Sequence, residues 1–153
     1  MLAKVVADDP RLDRLLQLYM HEWSALLPIA LNEEARFVYA KLPNYRDVDR
    51  HVAYLILDDR RPLGFVLARR DEGECWHVEE FFVIHGARRR GIGIAAMRAL
   101  VALHPGAWTL TVRFESPAAL QFWRRAVPGA DERVEVGTDG IQRTRLSWTE
   151  SPR

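Results

Sequence analysis

The sequence predicts an α+β fold: a central, mostly antiparallel mixed sheet of about seven strands flanked by helices, in a single domain spanning 1–153. Three observations carry this. The chain has 153 residues and is 48% hydrophobic, enough for one domain with a real core and too much for disorder. Strand-like runs fill the middle and the end, separated mainly by hairpin turns rather than by regularly alternating helices. Helical spacing is confined to a few segments punctuated by proline or glycine.

The opening apolar run, Leu2 to Ala7, reads as a strand closed by Asp8-Asp9-Pro10. An aspartate can cap a helix and proline tolerates its first turn. Leu12, Leu15, Leu16, Tyr19, Trp23 and Leu26 then recur at helical spacing, which predicts an amphipathic helix up to Pro28. Residues 29–50 have weak periodicity and read as a short helix plus a long loop, a candidate substrate-contacting segment. Val52–Leu57 and Leu63–Ala68 read as a hairpin around Asp58–Pro62, and Cys75–Ile84 as a third strand after the Asp71–Glu74 turn. Ile92–Leu103, apolar except for Arg98, predicts a buried helix stopped by His104-Pro105-Gly106. Trp108 to Phe114 alternates with period two. Ser116-Pro117 caps a further helix with Ala119, Phe122, Trp123 and Ala126 on one stripe, ended by Pro128-Gly129. Arg133–Val136 and Ile141–Trp148 form a last hairpin around Thr138-Asp139-Gly140.

Charge narrows the function classes. Lys and Arg total 22 against 21 Asp and Glu, so the chain is not a globally basic nucleic-acid binder, and no nucleic-acid partner is expected. Twenty of the 22 are arginines. Cys75 is alone and cannot form an internal disulfide, which fits a reducing cytoplasm. No run reaches the ~20 apolar residues of a membrane span, so neither a membrane partner nor a secretory route is expected. The histidines lack metal-ligand spacing, and no metal is expected.

The informative stretch is Val83-Ile84-His85-Gly86-Ala87-Arg88-Arg89-Arg90-Gly91-Ile92-Gly93-Ile94. A strand leads through a basic, glycine-punctuated loop into a buried helix. Helix starts leave backbone N–H groups unpaired and favour negative charge. Gly91 and Gly93 let a ligand approach the backbone, and three arginines add charge at one place. A polyphosphate suits such a site. The P-loop pattern fails, because Ile92-Gly93 stand where Lys-Ser/Thr is required. Gly91-Ile92-Gly93-Ile94-Ala95-Ala96 fits the dinucleotide fingerprint, with Glu115 as the ribose-binding acid. Against a dinucleotide-binding protein stand the residues between strand and first glycine, and the hairpins in place of βαβ units.

A third reading is a resemblance. Arg88-Arg89-Arg90-Gly91-Ile92-Gly93 resembles Arg/Gln-x-x-Gly-x-Gly/Ala, the coenzyme A pyrophosphate motif of the GNAT superfamily of N-acetyltransferases. Glu79-Glu80-Phe81-Phe82-Val83 looks like that family's central strand, and Ser116-Pro117-Ala118-Ala119-Leu120-Gln121-Phe122-Trp123 is similar to its Asn-x-x-Ala-x-x-Phe-Tyr motif. The similarity runs from about Leu63 to Ala126, and the element order agrees. The resemblance implies acetyl-CoA as co-substrate and a small-molecule or peptide amine as acceptor. It implies that Phe82 and Val83 contact the pantetheine arm through backbone atoms, and that the amides of Arg88, Arg89, Arg90, Gly91, Ile92 and Gly93 hold the pyrophosphate. Ser116 stands at the family's pantetheine-binding Asn and Trp123 at its acidic Tyr; indole is no useful acid.

Acetyl transfer needs a neutral amine, whereas an alkyl ammonium titrates near ~10. A strand from Trp76 places His77, Glu79, Phe81 and Val83 on one face and Val78, Glu80 and Phe82 on the other. Relatives tend to carry the base on the first face. Glu79 is therefore the expected base, its pKa raised by burial among aromatics, with His77 and then Glu80 as substitutes. On the acceptor side, Glu22, Glu33, Glu34 and Asp47 are candidates to attract a cation, with Tyr39 and Tyr45 packing on it. A homodimer is left open. The alternative to an enzyme is an acyl-CoA-binding regulatory module, which Ser116 and Trp123 would allow.

Overall fold

The computed structural model describes residues 1–151. In chain order its elements are β1 (Leu2–Val5), α1 (Pro10–Trp23), β2 (His51–Asp58), β3 (Arg61–Arg70), β4 (Trp76–Val83), α2 (Ile92–Leu103), β5 (Gly106–Arg113), α3 (Pro117–Ala126), β6 (Asp131–Val136) and β7 (Gln142–Glu150), with a 3₁₀ turn at Leu42–Arg46. The seven strands form one sheet in the order β1-β2-β3-β4-β5-β7-β6, and among the described residues β4–β5 is its only parallel pair. The α+β class and the mixed, mostly antiparallel sheet are as the sequence predicts.

Both faces of the sheet are covered. Val52, Tyr54, Ile56, Val66, Trp76, Val78, Trp108 and Leu110 pack with Met97, Leu100 and Trp123 under α2 and α3. Ala53, Leu55, Phe65, Leu67 and Phe82 pack with Leu12, Leu15, Leu16 and Tyr45 under α1 and the 3₁₀ turn. Strand alternation sends successive residues of β2 and β3 to opposite cores, so both strands read as continuous apolar runs.

Local departures have local causes. The α1 helix begins as expected, with the Asp9 side chain accepting from the Arg11 amide, but it ends at Trp23 rather than near Pro28. The Ser24 hydroxyl donates to the His21 carbonyl at 2.6 Å, and Pro28 disfavours helical backbone at Leu27. The Ser116 hydroxyl does not cap α3; its carbonyl accepts from Ala119 and Leu120 instead. The only helix in 29–50 is the 3₁₀ turn.

Two irregularities shape the middle of the sheet. First, β4 and β5 pair only over Trp76–Val78 with Trp108–Leu110 and then part, although both strands run on to Val83 and Arg113. Second, Leu67 pairs with Glu80 but Ala68 with Val78, so Glu79 is an extra residue, a β-bulge. Trp76 and Val78 face the α2–α3 core before the bulge, Phe81 and Val83 after it. The expected grouping of His77, Glu79, Phe81 and Val83 on one face is therefore corrected: the bulge turns both Glu79 and Glu80 toward α1 and the 3₁₀ turn.

Candidate active site

Beyond Val78 the gap between β4 and β5 opens into a cleft of about 400 Å³. Val78, Glu79, Glu80 and Phe81 form one wall, Leu110 to Arg113 the other. Ser116 just before α3, and Ala119 and Trp123 within it, bound it on one side, and Tyr19, Trp23, Tyr39 and Lys41 on the other.

The wall of β4 offers unpaired backbone. Ile84 donates to Leu63, and the alternation of an antiparallel ladder then commits the main chain of Phe82 and Glu80 to β3. The Phe82 carbonyl lies so close to Gly64 that a Cβ there would sit 1.9 Å from it. Only glycine allows β3 to approach so closely. Phe82 thus has no backbone free for a ligand, which corrects the expected pairing of Phe82 with Val83. The groups that face the gap belong to Phe81 and Val83, and Arg88 Nε already donates to the Val83 carbonyl at 2.7 Å.

At the end of β4 the chain makes a 3₁₀ turn, His85–Ala87, and enters α2 through Arg88–Gly91. Arg89 (φ 61°) and Gly91 (φ 76°) are both left-handed, so successive N–H groups converge. Among the described residues no protein acceptor meets the N–H groups of Arg89, Arg90, Gly91, Ile92 or Gly93. A Cβ at Gly91 would meet nothing within 4 Å, whereas at Gly93 the space is filled by Phe122, 3.0 Å away. Gly91 therefore leaves room for a ligand and Gly93 leaves room for α3. The arginines also divide. The Arg88 guanidinium donates to Glu22 of α1 at 2.7 Å and lies over the Phe82 ring; Arg89 and Arg90 stay exposed. The free charge at the helix start is two arginines, not the expected three.

The opposite side is built from side chains. Glu80 accepts from the hydroxyls of Tyr19 and, at 3.0 Å, Tyr39. Glu79 accepts from Lys41 Nζ at 2.9 Å and Tyr45 at 2.7 Å, with Arg69 at 3.7 Å. The two neighbours titrate in opposite directions. Burial raises Glu80 above the usual carboxylate range despite its two hydroxyl donors. Burial pushes Glu79 the same way, but the Lys41 and Tyr45 hydrogen bonds and the Lys41 and Arg69 charges leave it lowered. The expectation of a raised Glu79 is corrected on that ground. His77 bonds Thr109 Oγ1 at 2.9 Å where β4 and β5 are still paired, and burial together with Arg69 pushes it down to about 4. Burial keeps Tyr39 and Tyr45 protonated.

Ser116 and Trp123 both reach the cleft. Trp123 packs edge-on against Phe81 (5.1 Å between centroids) and Phe122 (4.9 Å). The acceptor-side candidates fare differently. Tyr39 and Tyr45 aim hydroxyls at the carboxylates, but Glu22 is engaged by Arg88, and Glu33, Glu34 and Asp47 do not line the cleft. Sequence reasoning missed Tyr19 (placed only on the apolar stripe of a helix), Lys41, Thr111 and Arg113. One signal was available: adjacent Glu79 and Glu80 in an otherwise alternating apolar strand mark a bulge. Among the described residues no group of His, Cys, Asp or Glu could hold a metal, and no helix is long and apolar enough to cross a membrane.

Among the described residues, the sheet splays at its one parallel pair beside a helix start whose free amides suit a phosphate-bearing ligand laid along an open strand. The rival dinucleotide reading fails here, since one parallel pair is no alternating βαβ sheet. The chain belongs to the acetyltransferase (GNAT) family, whose model matches residues 12–127. No curated protein matches the sequence significantly. Solved structures share the fold at low identity. A Klebsiella pneumoniae protein assigned provisionally as an acyl-CoA N-acyltransferase has a TM-score of 0.71 at 13% identity, covering 98% of this chain and 97% of its own. NAA60 of Arabidopsis thaliana in complex with acetyl-CoA has a TM-score of 0.66 at 16% identity, covering 97% of each chain. The aminoglycoside 6′-N-acetyltransferase of Enterococcus faecium has 0.66 at 14%, covering 100% of this chain and 98% of its own.

Proposed function

We propose that the protein transfers the acetyl group of acetyl-CoA to a primary amine of a small molecule or peptide, with Glu80 as general base. The observation that carries this is a buried carboxylate of raised pKa opening onto the gap between β4 and β5. The residues fit acetyl-CoA. The Arg89–Gly93 amides and the exposed Arg89 and Arg90 suit its pyrophosphate, and the free backbone of Phe81 and the Val83 N–H suit its pantetheine amides. Ser116 and Thr111 supply hydroxyls along the same path. Bound there, acetyl-CoA supplies a thioester for an amine to attack.

The chain's own groups prepare that amine. Glu80 takes the ammonium proton, and its raised pKa brings it nearer to the task than an ordinary glutamate. Glu79, held ionised by Lys41 and Arg69, favours a cation in the cleft without competing for the proton. Tyr39, held protonated against Glu80, gives the proton a route back toward the leaving thiolate, which Trp123 cannot serve. His77 lies outside the cleft lining and too low in pKa to act as base. β1 and the β6–β7 hairpin, outside the family match, hydrogen-bond into the same sheet, which supports 1–153 as one domain, and the lone Cys75 suits a reducing cytoplasm.

Acetyl-CoA should raise the melting temperature, and thiol release should appear with an amine panel. Absence of any stabilisation by acetyl-CoA overturns the proposal. Trp123 sustains a second reading, an acyl-CoA-binding module, which gains if acetyl-CoA binds but no amine triggers thiol release.

A further inference from the structure

The two long walls of the cleft carry opposite charge. On the β4 side stand Glu79 and Glu80; on the far side Arg113 of β5 and Arg143 of β7 both line the cleft and are direct cross-strand partners. Like charges placed opposite each other across a sheet repel unless something neutralises them. Neutralisation is unequal here. Arg143 is held by a twin pair of hydrogen bonds to Asp139, at 3.0 and 2.7 Å, with a further bond to the Ile141 carbonyl. Arg113 meets Glu115 through Nη2 alone, at 3.0 Å. Its Nε is buried and has no partner among the described residues. A partly buried guanidinium with donors unmatched is costly to the free protein, and since the buried Nε is closed to a ligand, an anion in the cleft offsets that cost through the Nη groups.

We infer that the acceptor is an amine that also carries a carboxylate, the class of amino acids and their close analogues, with Arg113 reading the carboxylate while Glu79 and Glu80 receive the amine. This rests on the proposed acetyl transfer and names the substrate class for it. The apolar boundary of Tyr19, Trp23, Leu27 and Ile29 favours an uncharged side chain on the acceptor. A polycation is a poor match, because one end of it would face Arg113 and Arg143.

The test compares leucine with leucinamide and isoamylamine, three amines of similar shape of which one is a carboxylate. With saturating acetyl-CoA, kcat/KM for leucine should exceed that for either carboxylate-free amine at least tenfold. Arg113→Gln should bring the ratio toward one, and Arg113→Lys should restore part of it. If no member of the panel is turned over, calorimetric titration of the CoA-bound protein with the same three compounds reads the same preference. Equal or better use or binding of the carboxylate-free amines overturns the inference, as does an unchanged ratio in Arg113→Gln. Neither result disturbs the acetyl-transfer reading, which fails separately if acetyl-CoA does not bind. The wild-type ratio needs no variant, so a folding defect in Arg113→Gln does not remove the test.

Discussion

The two sides of the cleft are built by different means. The proposed donor side, from Val83 to Gly93, is contiguous in sequence and offers backbone: free amides, two left-handed residues and a helix start. The proposed acceptor side draws Tyr19, Tyr39, Lys41, Glu79, Glu80 and Arg113 from separate stretches of the chain and offers side chains. A backbone site keeps its function through most side-chain changes but fails when a dihedral is forbidden. A side-chain site does the reverse. The donor side can thus serve one co-substrate while the acceptor side is free to vary.

The largest test of that contrast is Glu80→Gln. Removing a positioned base should lower kcat by about 10²–10⁴-fold and abolish the acid limb of the pH–rate profile, while the stabilisation by acetyl-CoA stays. The same change should not lower the melting temperature at neutral pH. A carboxyl whose folded pKa is raised stabilises the fold at low pH, and that contribution is lost as pH rises through the folded value. An amide escapes this loss. A variant that is both inactive and strongly destabilised would count against Glu80 as a proton acceptor.

Gly91→Val tests the other side. A β-branched residue at φ 76° is strained by about 1–3 kcal/mol, and acetyl-CoA affinity should fall on the order of tenfold. Calorimetry reads this directly, and an unchanged affinity would show that the loop does not hold the co-substrate.

The pH dependence of stability sharpens the role of His77, which the contrast places in the scaffold. Its pKa is pushed down from 6.5 to about 4, so the unfolded chain takes up the proton first and stability falls as pH drops through that window. His77→Gln should flatten this part of a melting-temperature profile and leave the kcat profile in place.

The smallest effect is Lys41→Ala. Its pair with Glu79 has a half-exposed ammonium and is worth about 0–1 kcal/mol. Glu79 has a lowered folded pKa, so the stability it contributes is present above the ordinary carboxylate range and lost as pH falls through the folded value. The variant should be slightly less stable at pH 7 and lose less on acidification, as chemical denaturation at both pH values would show.

Periodicity, continuous apolar runs and turn residues located every strand and long helix, because each is a local property of the chain. The boundary error at α1 came from a hydroxyl competing for a backbone carbonyl, which the apolar pattern does not record. The donor loop was legible for the same local reason: Arg88-Arg89-Arg90-Gly91-Ile92-Gly93 needs no partner from elsewhere to present amides at a helix start. The sequence by itself determined the class of fold and marked the loop that we propose holds the co-substrate. Tertiary structure decided which arginines remain free, since Glu22 on α1 captures Arg88. It also decided which glutamate has the raised pKa. The bulge at Glu79 turns both carboxylates to one face, and Lys41 and Arg69, far away in the chain, reach only the first. Electrostatics depends on distance in space, and no spacing along the chain encodes that.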